Sequence, residues 1–226
     1  MGLDMDLRRI NTKNKPVLDG QTLCTLDNWY GYLENGTDSD GEKYSFYEWC
    51  GGDESILNDE MIKAYKDDYV TRYPSWDPDH HFGWKSIYEV VADWRKANQV
   101  HRWFVENVQD GNDDCDCYQV SEEQLQELLD TCKTVIKESK LINGTICNGY
   151  RFNKDTGDWD PILMPGQVIE DSSAAQELLP VQRGFFFGSY DYDGHYLEQV
   201  KNTIRMLEKI LSEAKPDDVF YYSSSW

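Results

Sequence analysis

Positive charge is scarce in this sequence. Lys and Arg number 22 against 42 Asp and Glu, a net charge of −20 over 226 residues. General electrostatic attraction therefore does not hold such a chain on DNA or on anionic lipid. Direct nucleic-acid binding and membrane binding are not expected. Long apolar runs are also lacking, since no window approaches the roughly 18–20 apolar residues of a bilayer span. Residues Met1 to Arg9 contain no continuous apolar stretch of the signal-peptide kind, and Asp6 stands where a myristoylation motif wants Ser or Thr. The expectation is a cytoplasmic chain with free thiols. Its six cysteines (Cys24, Cys50, Cys115, Cys117, Cys132 and Cys147) do not make a disulfide framework by even count alone. Glycine-rich dinucleotide loops, Walker loops, G-x-S-x-G elbows and kinase signatures are all absent. No nucleophile is announced, no cofactor is expected, and the balance leans away from an enzyme.

What is present reads as an α+β fold. Leu3, Met5 and Leu7 alternate with Asp4 and Asp6, the period of a strand. The tail Val219–Ser223 reads as a final strand, and Gly184–Ser189 as a central one, apolar on both faces. Residues 22–49 read as irregular hairpins around Asn35-Gly36 and Asp40-Gly41, followed by a short helix capped by Ser55. Three long helices are expected. The first spans Trp84 to Val105, with Ile87, Val91, Trp94, Asn98, His101 and Val105 on one face. The second starts at Ser121, with Gln124 as its capping-box partner, and the third spans Gly194 to Ala214. A hairpin over 146–169 turns at Asp155–Asp158. The expected architecture is a single domain over 1–226, its antiparallel sheet including both terminal strands, with an insertion or extra lobe at about 20–83.

Three groups of residues could carry chemistry. Asn98 and His101 are polar on an apolar helix face, where each needs a hydrogen-bond partner. That partner is either another core group or a ligand in a pocket with Trp94 and Arg102, a guanidinium suited to phosphate or carboxylate. Residues 103–132 contain nine acids and no Lys or Arg, and 155–182 contain six acids and again no cation. The face formed by Asp110, Asp113, Asp114, Asp116, Glu122 and Glu123 either docks a basic partner or is simply a solvated surface. Asp191, Asp193 and His195 alternate before the last long helix, as a metal set or as helix N-terminal charge. Asp77, Asp79, His80 and His81 are a second possible metal set. The Asp110–Asp116 loop fails the EF-hand pattern, with Cys115 and Ser121 where Gly and Glu are required. Cys115, Cys117, Cys132 and Cys147 lack zinc-knuckle spacing.

Several segments together resemble a family of small bacteriophage-encoded accessory proteins. They are Met1–Met5, Asp93–Asn98, His101–Gly111, Asp113–Cys115, Glu177–Pro180, Gly184–Ser189 and the closing strand with Trp226. The resemblance covers about the first ten residues and 84–226, and the chain departs from it by a longer segment at about 20–83. It implies a protein in the cytoplasm of an infected bacterial host that inhibits a host or defence protein by binding, or sequesters a nucleotide-like signal. It carries no catalytic residues over. The alternative reading is a metal-dependent hydrolase of a phosphate ester, built on Asp191, Asp193, His195 and the Asp110 loop, in which the metal acidifies a bound water.

Overall fold

The structure, a computed structural model, describes residues 2–73 and 84–226. In chain order the elements are β1 (Asp4–Asn11), α1 (Gly20–Asn35), α2 (Phe46–Cys50), α3 (Asp59–Tyr65), β2 (Val70–Tyr73), β3 (Trp84–Ser86) and β4 (Glu89–Arg95). There follow α4 (Asn98–Asn107), β5 (Cys117–Val120), α5 (Glu122–Glu138), β6 (Leu141–Phe152) and β7 (Trp159–Ile169). The chain ends with α6 (Ser173–Leu178), α7 (Gly194–Glu213) and β8 (Asp218–Ser225). Asp77, Asp79, His80 and His81 lie outside the described residues. Among the described residues no helix is long and apolar enough to cross a membrane.

The main sheet is antiparallel, in the order β4-β1-β8-β5. Both terminal strands lie at its centre, paired without a break from Asp4↔Ser225 to Asn11↔Asp218. Alternation then sorts side chains to two faces. Met5, Leu7, Ala92, Trp94, Val120, Phe220 and Tyr222 face a core completed by α4, α5 and α7. Ile10, Cys117 and Tyr221 face a second core with Leu23, Leu26 and Tyr30 of α1, together with Tyr65, Ile87 and Tyr88. The segment anticipated as an insertion or extra lobe thus supplies the cover for the second sheet face. The capping box of α5 forms as expected, with the Ser121 side chain accepting from Gln124 N and the Gln124 side chain from Ser121 N.

Four expectations are corrected. The short helix expected from a Ser55 cap is α3, which begins at Asp59 and is capped by Asn58, its side chain accepting from Met61 N. The helix expected from Trp84 is two strands, and helical structure begins only at Asn98. The helical spacing of Ile87, Val91 and Trp94 is overridden by a strand in which Ala92 and Trp94 face the core, paired with Leu7 and Met5 of β1. Lys96, at a φ of 57°, turns the chain from β4 into α4. Residues 20–35 form a helix rather than hairpins. Asp19 caps it by accepting from Thr22 N, and the 3-4 spacing of Leu23, Leu26 and Tyr30 faces the sheet. Finally, Gly184–Ser189 is a loop, because Phe186 (φ 60°) and Gly188 (φ 103°) lie in the left-handed region, which a strand does not use.

β6 and β7 form a separate two-stranded ribbon with the expected turn at 153–158. The register places Tyr150, Phe152, Trp159, Pro161 and Leu163 on one face of it, all of them exposed.

Candidate docking surface

Asn98 opens α4 and is buried, with all its polar capacity directed at one loop. Its Nδ2 donates to the carbonyls of Phe187 (3.1 Å) and Ser189 (2.8 Å), and its Oδ1 accepts from Gln182 N at 3.0 Å. One turn later His101, fully buried, has Nδ1 2.7 Å from Tyr222 Oη and Nε2 3.0 Å from Asp113 Oδ1. A carboxylate only accepts, so the tautomer satisfying both bonds carries its proton on Nε2 and accepts from the tyrosine. Asp113 also accepts from Gln182 Nε2 at 2.5 Å, which ties the acidic loop to the aromatic one. Trp94 Nε1 donates to Thr203 Oγ1, and Arg102 pairs with Glu106 while reaching the Val181 carbonyl. Of the expected ligand-binding residues, Asn98 and Arg102 thus reach the loop over 181–189, whereas Trp94 bonds to α7 and His101 to β8 and the acidic loop, and each is engaged within the chain.

That loop displays what it holds. Phe187 is buried against His101 and Trp226, whereas Phe185 is 82% exposed and Phe186 57% exposed, their rings 4.2 Å apart. Tyr190 Oη closes the loop across its base by donating to Gly184 O at 2.8 Å. Gly188 is required there, since a Cβ would lie 2.8 Å from Lys96 O at a backbone angle L-residues rarely adopt. A phenylalanine at positive φ costs on the order of 1–3 kcal/mol, and such strain persists only where surrounding contacts over-determine it. Asp113 joins this loop through Gln182; of the other acids, Asp110, Asp116, Glu122 and Glu123 are exposed and Asp114 is half-buried, its carboxylate accepting from Tyr118 Oη. A cavity of about 260 Å³, walled by Cys147, Tyr150, Ser189, Tyr190 and Asp191, joins the loop to the ribbon.

The expected metal residues do not converge. Asp193 is buried and caps α7, its Oδ1 accepting from the backbone N of His195 and Tyr196, while Asp191 and His195 are exposed. Among the described residues no three His, Cys, Asp or Glu side chains come together as a metal-ligand group. Cys132 lies in the α5 core, where burial pushes its thiol up to about 12. Sequence reasoning missed Phe185, Phe186 and Gln182. The clue to the first two was the pair of glycines bracketing three phenylalanines, which the apolar run outweighed.

Burial holds the pKa of His101 below its ordinary 6.5, against an opposing pull from Asp113. The unfolded chain then takes up this proton before the folded one does. Stability associated with His101 is present above about pH 6.5 and declines as pH falls through that value. The urea midpoint is expected to drop between about pH 7.5 and 5.5, and to drop less in His101→Gln. Equal slopes for the two proteins would show that His101 does not stay neutral in the fold.

No family model matches the chain, and neither a curated protein nor a solved structure shows significant similarity to it.

Proposed function

We propose that the protein acts by binding another protein. Phe185 and Phe186 enter an apolar pocket on the partner, and the acids from Asp110 to Glu123 meet Lys and Arg at its rim. The observation carrying this reading is Phe185, 82% exposed at the tip of a loop anchored by Asn98 and closed by Tyr190. Aromatic anchors held rigid lose little entropy on docking, and a charged rim adds rate and selectivity. On the phage resemblance, the partner is a host or defence protein of the infected bacterium and the outcome is inhibition.

The test is capture from bacterial lysate followed by affinity measurement on the captured protein. Phe185→Ala with Phe186→Ala is expected to weaken binding by roughly 30-fold or more, the level of an interface anchor. Thermal stability should hold, because both rings are exposed. Raising salt to about 0.5 M should weaken binding as well, since exposed charges are screened. Full affinity in the double variant would refute the aromatic anchor, and salt-insensitive binding would refute the acidic rim.

A further inference from the structure

The second sheet face holds a thiol pair that the docking surface does not use. Cys24 lies on α1 and Cys117 opens β5, which is 93 residues later (117 − 24). Arg8, from the centre of β1, reaches both: its Nη1 is 3.1 Å from Cys24 Sγ and 4.0 Å from Cys117 Sγ. The same guanidinium is paired with Asp6 (2.7 Å) and lies over the Tyr88 ring, 4.5 Å from its centroid, which fixes its plane. Gly20 and Cys24 are four residues apart and so share one face of α1. The helix approaches β5 so closely at Gly20 that a Cβ there would lie 1.7 Å from the Cys117 carbonyl oxygen. Both sulfurs therefore flank the same Arg8 Nη1, which brings the Cys24 and Cys117 side chains together between α1 and β5. Cys24 is half-buried and Cys117 buried, so an incoming reagent meets Cys24 first.

We propose that Cys24 and Cys117 form a dithiol site that a hydroperoxide oxidises to an intramolecular disulfide, with Arg8 as the positioning residue. The neighbouring Cys117 thiol lowers the Cys24 pKa against the opposing effect of burial, and the Arg8 charge adds to the lowering, while Cys117 is raised. The Cys24 thiolate attacks the terminal peroxide oxygen. An S–O bond forms, the O–O bond breaks, and the leaving oxygen departs as alcohol or water after taking a proton. Cys24 is then a sulfenic acid, oxidised by two electrons, and the peroxide has been reduced by two. The Cys117 sulfur next attacks the Cys24 sulfur. An S–S bond forms, the S–O bond breaks, and the hydroxyl leaves as water with the proton from Cys117. The disulfide staples α1 to β5, the strand that follows directly on the acidic loop.

The experiment treats the reduced full chain with about one equivalent of hydrogen peroxide, blocks residual thiols by alkylation and maps peptides by mass spectrometry. The expected product is a Cys24–Cys117 linked peptide, with Cys50, Cys115, Cys132 and Cys147 still alkylated. In Cys117→Ser the linked peptide must vanish and dimedone must trap a sulfenic acid on Cys24, a readout independent of disulfide formation. Arg8→Gln is expected to slow Cys24 oxidation by roughly tenfold through loss of the stabilising charge. If exposed Cys115 reacts first and no Cys24–Cys117 peptide forms, or if dimedone fails to label Cys24 in Cys117→Ser, the proposal is overturned. Partner affinity plays no part in these readouts, so their failure leaves the docking surface to its own test.

Discussion

Asn98→Ala is expected to destabilise the protein by about 3 kcal/mol, with a fall in Tm of roughly 6–12 °C for a chain of this size. The side chain makes three hydrogen bonds: two donated to Phe187 and Ser189 and one accepted from Gln182. Alanine removes all three and leaves the buried Phe187 carbonyl and two partly buried backbone groups without this partner, each bond costing on the order of 1 kcal/mol. The damage should reach beyond global stability. The loop would lose the contacts that hold Phe186 at positive φ, so hydrogen exchange over 182–189 should accelerate more than exchange in the sheet. A variant as stable as the parent, with an unchanged loop, would mean that Asn98 is free for a ligand instead.

Gly20→Ala is expected to cost about 3 kcal/mol, the upper end of the usual range for overpacking. The new methyl would lie 1.7 Å from Cys117 O and 2.4 Å from Cys117 C, both backbone atoms that no side-chain rotation can move aside. Either α1 shifts off β5 and loosens Leu23 and Leu26, or the strand moves and breaks its pairing with β8. The control is Gly31→Ala in the same helix, where the nearest atom to an added Cβ is Tyr69 Oη at an ordinary 3.6 Å. There alanine should stabilise by up to about 1 kcal/mol, because glycine is the weaker helix former. Denaturant midpoints for the two variants should move in opposite directions. A Gly20→Ala protein as stable as Gly31→Ala would refute the tight seating of α1.

Local codes were legible where a residue's neighbours in sequence are also its partners. Ser121 and Gln124 satisfy each other's backbone groups within one turn, and the stripe Leu125, Leu128, Leu129 and Cys132 follows. The turn after Phe152 and the last long helix were legible for the same reason, as was the alternation of Met5 and Leu7. Asn98 and His101 were recognisable as polar groups in need of partners, with core groups and a ligand both open. His101 found Tyr222 and Asp113, which lie 121 and 12 residues away, and no local rule names them.

The sequence by itself determined the α+β class, the strand character of both termini, the Ser121 cap of α5 and the strong negative charge. These follow from period, end-group chemistry and charge, all readable over a few residues. Tertiary structure decided the rest. Residues 84–97 carry a helical spacing, but 89–95 lie beside β1 and 84–86 beside β2, and ladder pairing outweighs propensity. The aromatic residues of α1 are only moderate helix formers, and a sheet face in need of cover made them helical. Gly184–Ser189 has the composition of a buried strand but takes positive φ angles that the Asn98 bonds hold in place, turning two phenylalanines outward. Each of these outcomes depends on contacts between residues far apart in the chain, so the candidate docking surface exists only once the sheet and its two layers have closed.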